Sequence, residues 1–292
     1  MKRILIIGAT GTVGRAVISE LPSEGLSLRA FTRNPKSANL PAHVQLFQGD
    51  LTNPSSLDSA LANTDAVFLV WTAPATAAAS AIPYIAARVR QLVFLSSPHQ
   101  TPHPFFRQPN PLANLHAEIE RLIQSSAVQW TFLRPGMFAA NSLHWWAPQL
   151  RADSNATVIR WPYAEAPTAP VHEADIGAAG ARVLLENHHS GKDYVLTGPD
   201  SLTQAQQVQI LGEVLGRPLR LQEMSRAEAE RDALPGIPRA AISMLLNAWA
   251  AALGQPAYVT SCVEQLTGRP ARSFRQWVSD HAASFRHPTA QS

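Results

Sequence analysis

Four apolar residues, Ile4 to Ile7, run straight into three glycines spaced by three, Gly8, Gly11 and Gly14, in the stretch "ILIIGATGTVGR". An unalternating apolar run reads as a strand buried on both faces. Glycines immediately after it mark a strand-to-helix turn. The first permits the tight turn. The second lets the backbone approach a pyrophosphate with no Cβ in the way, and the third lets the helix pack close to the sheet. Unpaired N–H groups and the helix dipole favour an anion at that helix N-terminus. Thr10 and Thr12 add hydroxyls at the mouth, and Val13 completes the turn. A dinucleotide is therefore the expected ligand.

The same rhythm continues through the first half. "LSLRAFTR" (26–33), "VQLFQGD" (44–50), "AVFLVW" (66–71), "QLVFLSS" (91–97) and "VQWTFLRP" (128–135) are short apolar runs. Segments with helical spacing, such as "SSLDSALANT" and "LANLHAEIERLIQSSA", separate them. This alternation implies βαβ units, hence an α/β chain with a Rossmann-type doubly wound parallel sheet. The rhythm breaks after about residue 136, where a smaller C-terminal substrate lobe is expected. The division is then residues 1–136 for the dinucleotide and 137–292 mainly for the lobe, with a segment at about 170–200 returning to the first. Within the lobe, "TQAQQVQILGEVLGRPLRL" predicts a helix capped by Thr203 and stopped at Gly216.

Composition excludes several classes. The 292 residues are 46% hydrophobic and 15% charged, which suits a globular chain. The net charge of +3 comes from scattered arginines, a poor nucleic-acid footprint. The lone Cys262 precludes an internal disulfide and any cysteine-held zinc. No stretch approaches the ~18 apolar residues of a membrane span, and the N-terminal apolar run is too short for a signal peptide. A soluble protein in a reducing, cytoplasmic setting is the expectation, with no membrane or nucleic-acid partner. His99 and His103 have the spacing of a metal pair, but Pro98, Pro102 and Pro104 deny them a helix. No metal site is expected.

The cofactor can be narrowed further. An NAD-selective site carries an acid near the end of the second strand, yet no carboxylate lies between Glu24 and Asp50. Arg33 stands there instead, a planar fork suited to a 2′-phosphate, with Lys36 to assist. NADP(H) is the expected cofactor. Asp50 and Leu51 follow the third strand, where Asp50 reads as an adenine contact or an ordinary turn residue. Trp71, Thr72 and Ala73 end the fourth strand and Ser96 and Ser97 the fifth, where ligands bind in such sheets. Pro135 and Gly136 turn the chain beneath the nicotinamide, beside a structural Arg134.

"IIGATGTVG", "QGDLTNPSSL", "FLSS", "LHAEIERLIQSSAVQWTFLRPGMFAAN" and "YVLTGPDSLTQAQQVQILGEVLGRPL" together resemble the atypical short-chain dehydrogenase/reductases of the NmrA-like type. That group includes quinone and triphenylmethane-dye reductases and, more distantly, isoflavone and lignan reductases. It also includes members that bind the dinucleotide and regulate without known turnover. The resemblance spans about residues 3–280. It implies one NADP(H) domain with a substrate lobe, a His…Glu pair on the helix before the sixth strand, and an Asn after "RPGMF". Here these are His116, Glu120 and Asn141.

The Tyr-x-x-x-Lys dyad of ordinary short-chain enzymes is absent. Four residues after the four tyrosines stand Arg88, Pro167, Gly198 and Cys262, and the only lysines are Lys2, Lys36 and Lys192. His116 and Glu120 share a helix face, where the carboxylate could keep the imidazole protonated. The pair reads as a proton donor or positioner, or as a solvated surface pair. The expected pocket wall is aromatic, from Phe138, Trp145 and Trp146, from Trp161 and Tyr163, and from Phe105 and Phe106, about half of these being core. The long loop 98–111 is expected to act as a lid. Asp175 is expected to cap a helix, Met244 to Leu246 to be core, and His188 and His189 to be solvated. A small hydrophobic or aromatic substrate follows, a homodimer being left open. The leading reading is NADPH-dependent reduction of a conjugated acceptor, which needs no strong acid; the others are a non-enzymatic NADP(H) sensor and an isomerase or epimerase with a tightly held, recycled cofactor.

Overall fold

The computed structural model describes residues 1–153 and 157–286. In it the apolar runs become β1 (Lys2–Ile7), β2 (Leu26–Thr32), β3 (Gln45–Gln48), β4 (Ala66–Val70), β5 (Gln91–Leu95) and β6 (Gln129–Pro135). The helices between them are α1 (Thr12–Glu20), α2 (Asp58–Leu61), α3 (Ala78–Ala86) and α4 (Pro111–Gln124). Alternate residues of each central strand point to opposite faces. Ile4, Ile6, Phe68 and Val93 thus pack with α1, while Leu5, Ile7, Val67 and Phe94 pack with α3 and α4. Both faces are covered, which is why these runs show no polar alternation.

Past β6 the chain builds α5 (Asn141–Trp145), α6 (Ala147–Ala152), β7 (Val158–Pro162) and β8 (Pro167–Thr168), and then returns. Helix α7 (Glu173–Leu185) lies against α1, and β9 (Lys192–Leu196) pairs in parallel with β6. The sheet order is therefore β3-β2-β1-β4-β5-β6-β9, parallel throughout. The doubly wound parallel sheet expected from the sequence is present. Asp175 is not the cap of α7: His172 accepts from the Ala174 amide, and Asp175 pairs instead with Arg272.

The chain then leaves again through β10 (Leu202–Thr203), α8 (Gln204–Leu215), β11 (Arg220–Met224), α9 (Arg226–Asp232) and α10 (Arg239–Ala252), and ends with α11 (Cys262–Thr267) and α12 (Phe274–Arg286). Thr203 caps α8 in a capping box with Gln206, and Gly216 closes it at φ 68°. A second core forms here around Trp146, Trp161, Trp249 and Trp277, all fully buried. Among the described residues no helix is long and apolar enough to cross a membrane.

Candidate active site

A cleft of about 720 Å³ opens at the carboxyl ends of β1, β2 and β4. Gly8, Thr10, Gly11, Thr12, Val13, Gly14, Arg33, Asp50, Leu51, Thr72 and Ala73 all line it. The three glycines meet different constraints. Gly8 sits at φ +81°, and a Cβ there would lie 2.7 Å from Val70 Cβ. A Cβ on Gly14 would lie 2.3 Å from the Gly8 carbonyl oxygen. A Cβ on Gly11 would meet nothing closer than that same oxygen at 3.5 Å, ordinary contact. Nothing within the protein forbids a side chain at Gly11; what it would obstruct is the cleft. The cradle fits a dinucleotide pyrophosphate at the start of α1.

Arg33 is exposed on the cleft wall. Lys36, in the 3-10 turn Pro35–Ser37, is exposed and lies off the wall, so its assisting role is not supported by its placement. Arg15, which the sequence reading passed over, lines the cleft and ties its two sides together. Its guanidinium donates to the carbonyls of Thr10 at 2.9 Å, Ala38 at 2.8 Å and Asn39 at 2.6 Å. A cation directly after the third glycine was the available signal. Asp50 Oδ1 accepts from the Thr52 amide at 2.8 Å and hydroxyl at 2.9 Å. Those bonds, with Arg33 nearby, hold its carboxyl below the usual range.

A second cavity, of about 290 Å³, shares Val70, Leu95 and Phe138 with the cleft. Trp71, Ser96, Ser97, Pro135 and Gly136 line this one and not the cleft. His116 enters from α4, and Phe105 and Phe106 come from the loop before it. That loop carries a 3-10 turn, Pro104–Arg107, packed on α10. Met244 and Leu245 of α10 complete the wall, Leu245 also packing on the second core, while Leu246 is core as expected. Trp71 Nε1, Ser96 Oγ, Ser97 Oγ and His116 Nδ1 are buried without a hydrogen-bond partner. Orphaned polar atoms are rare in native proteins, and four on one wall suit a ligand with hydrogen-bonding atoms.

Four other placements differ from expectation. Trp161 stacks on Trp145 and meets Trp146 and Trp249 edge-on inside the second core, and none of Trp145, Trp146 and Trp161 reaches the cavity. The Asn141 amide donates to Met137 Sδ at 3.0 Å and also lies off the wall. Glu120 does not serve His116: it takes a two-pronged contact from Arg134, Nε to Oε1 at 2.9 Å and Nη2 to Oε2 at 2.7 Å. Asp193 accepts from Arg134 Nη1 at 2.8 Å. His189 is buried, with Tyr194 and Glu186 as partners, and is not solvated.

Without a carboxylate, His116 is not held protonated. Burial, and next His99, lower its pKa from 6.5 to about 4, so the imidazole is neutral near pH 7. Its ring meets Phe94 edge-on at 5.5 Å. Because the unfolded chain binds the proton more readily, stability falls as pH drops from about 6.5 towards about 4. Between pH 7 and pH 5 this group is expected to cost the native state about 2 kcal/mol. Urea unfolding at the two pH values checks this, and His116→Phe should remove that part of the slope.

A family model described as NAD(P)H-binding matches residues 8–146. The (4-alkanoyl-5-oxo-2,5-dihydrofuran-3-yl)methyl phosphate reductase of Streptomyces griseus is 37% identical over 97% of this chain and 99% of its own length. The chain belongs to the NmrA-like atypical short-chain dehydrogenase/reductases. The NAD(P)H azoreductase of Xenophilus azovorans is 30% identical to this reductase over 97% of the chain and 99% of its own. The crystal structure of an NADPH-dependent quinone oxidoreductase of Escherichia coli, complexed with NADPH, superposes with a TM-score of 0.78. It is 26% identical to this reductase, covering 95% of its chain and 99% of the other. The chain is thus an NAD(P)H-dependent oxidoreductase.

Proposed function

We propose that this reductase passes a hydride from NADPH to a hydrophobic, conjugated small molecule held in the second cavity. The observation that carries the reading is the junction of the two cavities at Val70, Leu95 and Phe138. A ligand in the apolar cavity and a dinucleotide in the cleft would meet there. Bound NADPH supplies the hydride; the protein supplies orientation and exclusion of water. The Trp71 indole can only donate a hydrogen bond, the Ser96 and Ser97 hydroxyls can donate or accept, and neutral His116 offers one of each. Such a wall suits a carbonyl or imine acceptor flanked by flat apolar surface. Without a tyrosine–lysine acid, acceptors whose reduced form carries its own charge, such as quinones, are favoured over plain ketones.

The relatives named above act, by their names, on a dihydrofuranone phosphate, on azo compounds and on quinones. No lysine or arginine is among the described residues lining the second cavity, so an uncharged acceptor fits it better than a phosphate ester. The test is NADPH oxidation with a panel of quinones, azo dyes and cyclic enones. Acceleration by at least one class is expected, and none across the panel would overturn the reading.

Cofactor choice rests on Arg33. Loss of a charged hydrogen-bonding partner is worth about 1.5–3 kcal/mol. Arg33→Ala should therefore raise the dissociation constant for NADPH by roughly 10- to 100-fold and leave that for NADH unchanged. Equal weakening of both would assign Arg33 a general structural role instead.

A further inference from the structure

The carboxyl ends of the strands hold both cavities; the opposite end of the sheet carries a different constellation. There the turn from α7 into β9 brings Glu186, His188 and His189 together. His188 Nε2 lies 3.5 Å and His189 Nε2 lies 3.1 Å from Glu186 Oε2. One donor atom from each residue falls within 4.8 Å of the other two. Ligand atoms about 2.1 Å from a tetrahedral zinc ion stand about 3.4 Å from one another. Two of the three spacings are already near that value, the third is within 4.8 Å, and it involves His188, whose side chain is 69% exposed.

The groups behind these donors are also in place. His189 Nδ1, the nitrogen facing away from Glu186, is 2.8 Å from the Tyr194 hydroxyl. Metal-bound histidines typically use their second nitrogen in this way, which fixes the ring. Arg182 Nη1 holds the other oxygen of Glu186 at 3.0 Å. The Thr131 hydroxyl donates to the His189 carbonyl at 2.8 Å, anchoring the turn to β6. One buried, oriented imidazole, one held carboxylate and one exposed imidazole thus converge on a common point.

We propose that Glu186, His188 and His189 form a binding site for one divalent transition-metal ion, zinc by ligand class, with a fourth position left to water. Two imidazoles and a carboxylate match zinc, copper or nickel, whereas calcium and magnesium take oxygen ligands. The expectation of no metal considered only cysteines and the His99–His103 pair; this trio is not periodic and becomes visible only when the turn is folded. The ion would brace the turn between α7 and β9. Binding to the native state alone would raise thermal stability with metal concentration.

The experiment is a zinc titration of the full chain, prepared without a histidine tag, against a chromophoric chelator, with thermal melts in zinc and in EDTA. Wild type is expected to take up one equivalent and to melt higher in zinc, reversibly with EDTA. His188→Ala, at an exposed position, and Glu186→Gln should each weaken uptake more than tenfold and abolish the melting shift. His43→Ala, exposed at the far edge of the sheet, should retain both. No stoichiometric uptake by wild type, or wild-type affinity in His188→Ala, overturns the proposal. Because the readouts are binding and melting, the result is independent of whether the reductase reading holds.

Discussion

Gly14→Ala is expected to destabilise the chain by about 3 kcal/mol or more, whereas Gly11→Ala leaves stability within about 1 kcal/mol of wild type and still loses NADPH. The two sites are one helical turn apart and differ in what a methyl group meets. At Gly14 it meets backbone: the Gly8 carbonyl oxygen at 2.3 Å and Ala9 Cα at 2.7 Å, neither of which can rotate away. Relief requires α1 to move off β1, and α1 is packed along α7. At Gly11 the nearest atom is 3.5 Å away and φ is −81°, open to any residue. The methyl there projects into the space a pyrophosphate would use. Urea unfolding and a fluorescence titration with NADPH separate the effects. A dissociation constant raised at least tenfold in Gly11→Ala, with an unchanged unfolding midpoint, is the expected result. Parallel loss of stability and binding in both variants would contradict it.

Glu120→Ala should be at least as damaging, for an electrostatic reason. The Arg134 and Glu120 side chains are 4% and 3% exposed, and their paired contacts are the main compensation for burying either charge. Asp193, the other partner of Arg134, is 43% exposed and screened by water. Removing one member of a buried pair leaves an uncompensated charge and typically costs about 3–5 kcal/mol. Replacing the pair with apolar residues of similar volume is often neutral, so Glu120→Leu with Arg134→Met should recover most of the stability lost in Glu120→Ala. Chemical denaturation of the three variants decides it. Failure of the double variant to recover would mean that the pair supplies more than charge compensation. The pair also pins α4 to β6, so Glu120→Ala is expected to loosen the helix that presents His116.

What could be read from the chain and what could not follows the range of the interactions. The parallel sheet was legible because strands buried on both faces have a local signature, and the glycine turn because its spacing is set by one strand end and one helix start. Arg33 could be placed because it ends a strand whose register the preceding glycine motif defines. The errors share a cause. Glu120 is four residues from His116, but the arginine that claims it arrives from β6, fourteen positions on, and no helical spacing announces that. Trp145, Trp146 and Trp161 carry the composition of a ligand wall and equally of a core. Only the closing of α8, α10 and α12 over them decides the matter. Met244 departs in the opposite sense, since an apolar helix face does not reveal whether a cavity or another helix lies opposite. His189 reads as a loop residue in the sequence because Tyr194 reaches it only after β9 has joined the sheet.

The chain's departure after β6 and its return for α7 and β9 has a consequence for its covalent economy. Neither core is a continuous stretch of polypeptide. A fragment ending near residue 136 would leave β6 as a bare sheet edge and α1 without α7, and a fragment beginning there would carry those two missing pieces as orphans. The two cores are therefore co-dependent: the lobe that helps wall the second cavity cannot be exchanged between relatives by a single cut. Exchanging the lobe in this scaffold requires grafting two separate segments around a retained middle, and drift in one core is constrained by both crossings of the other.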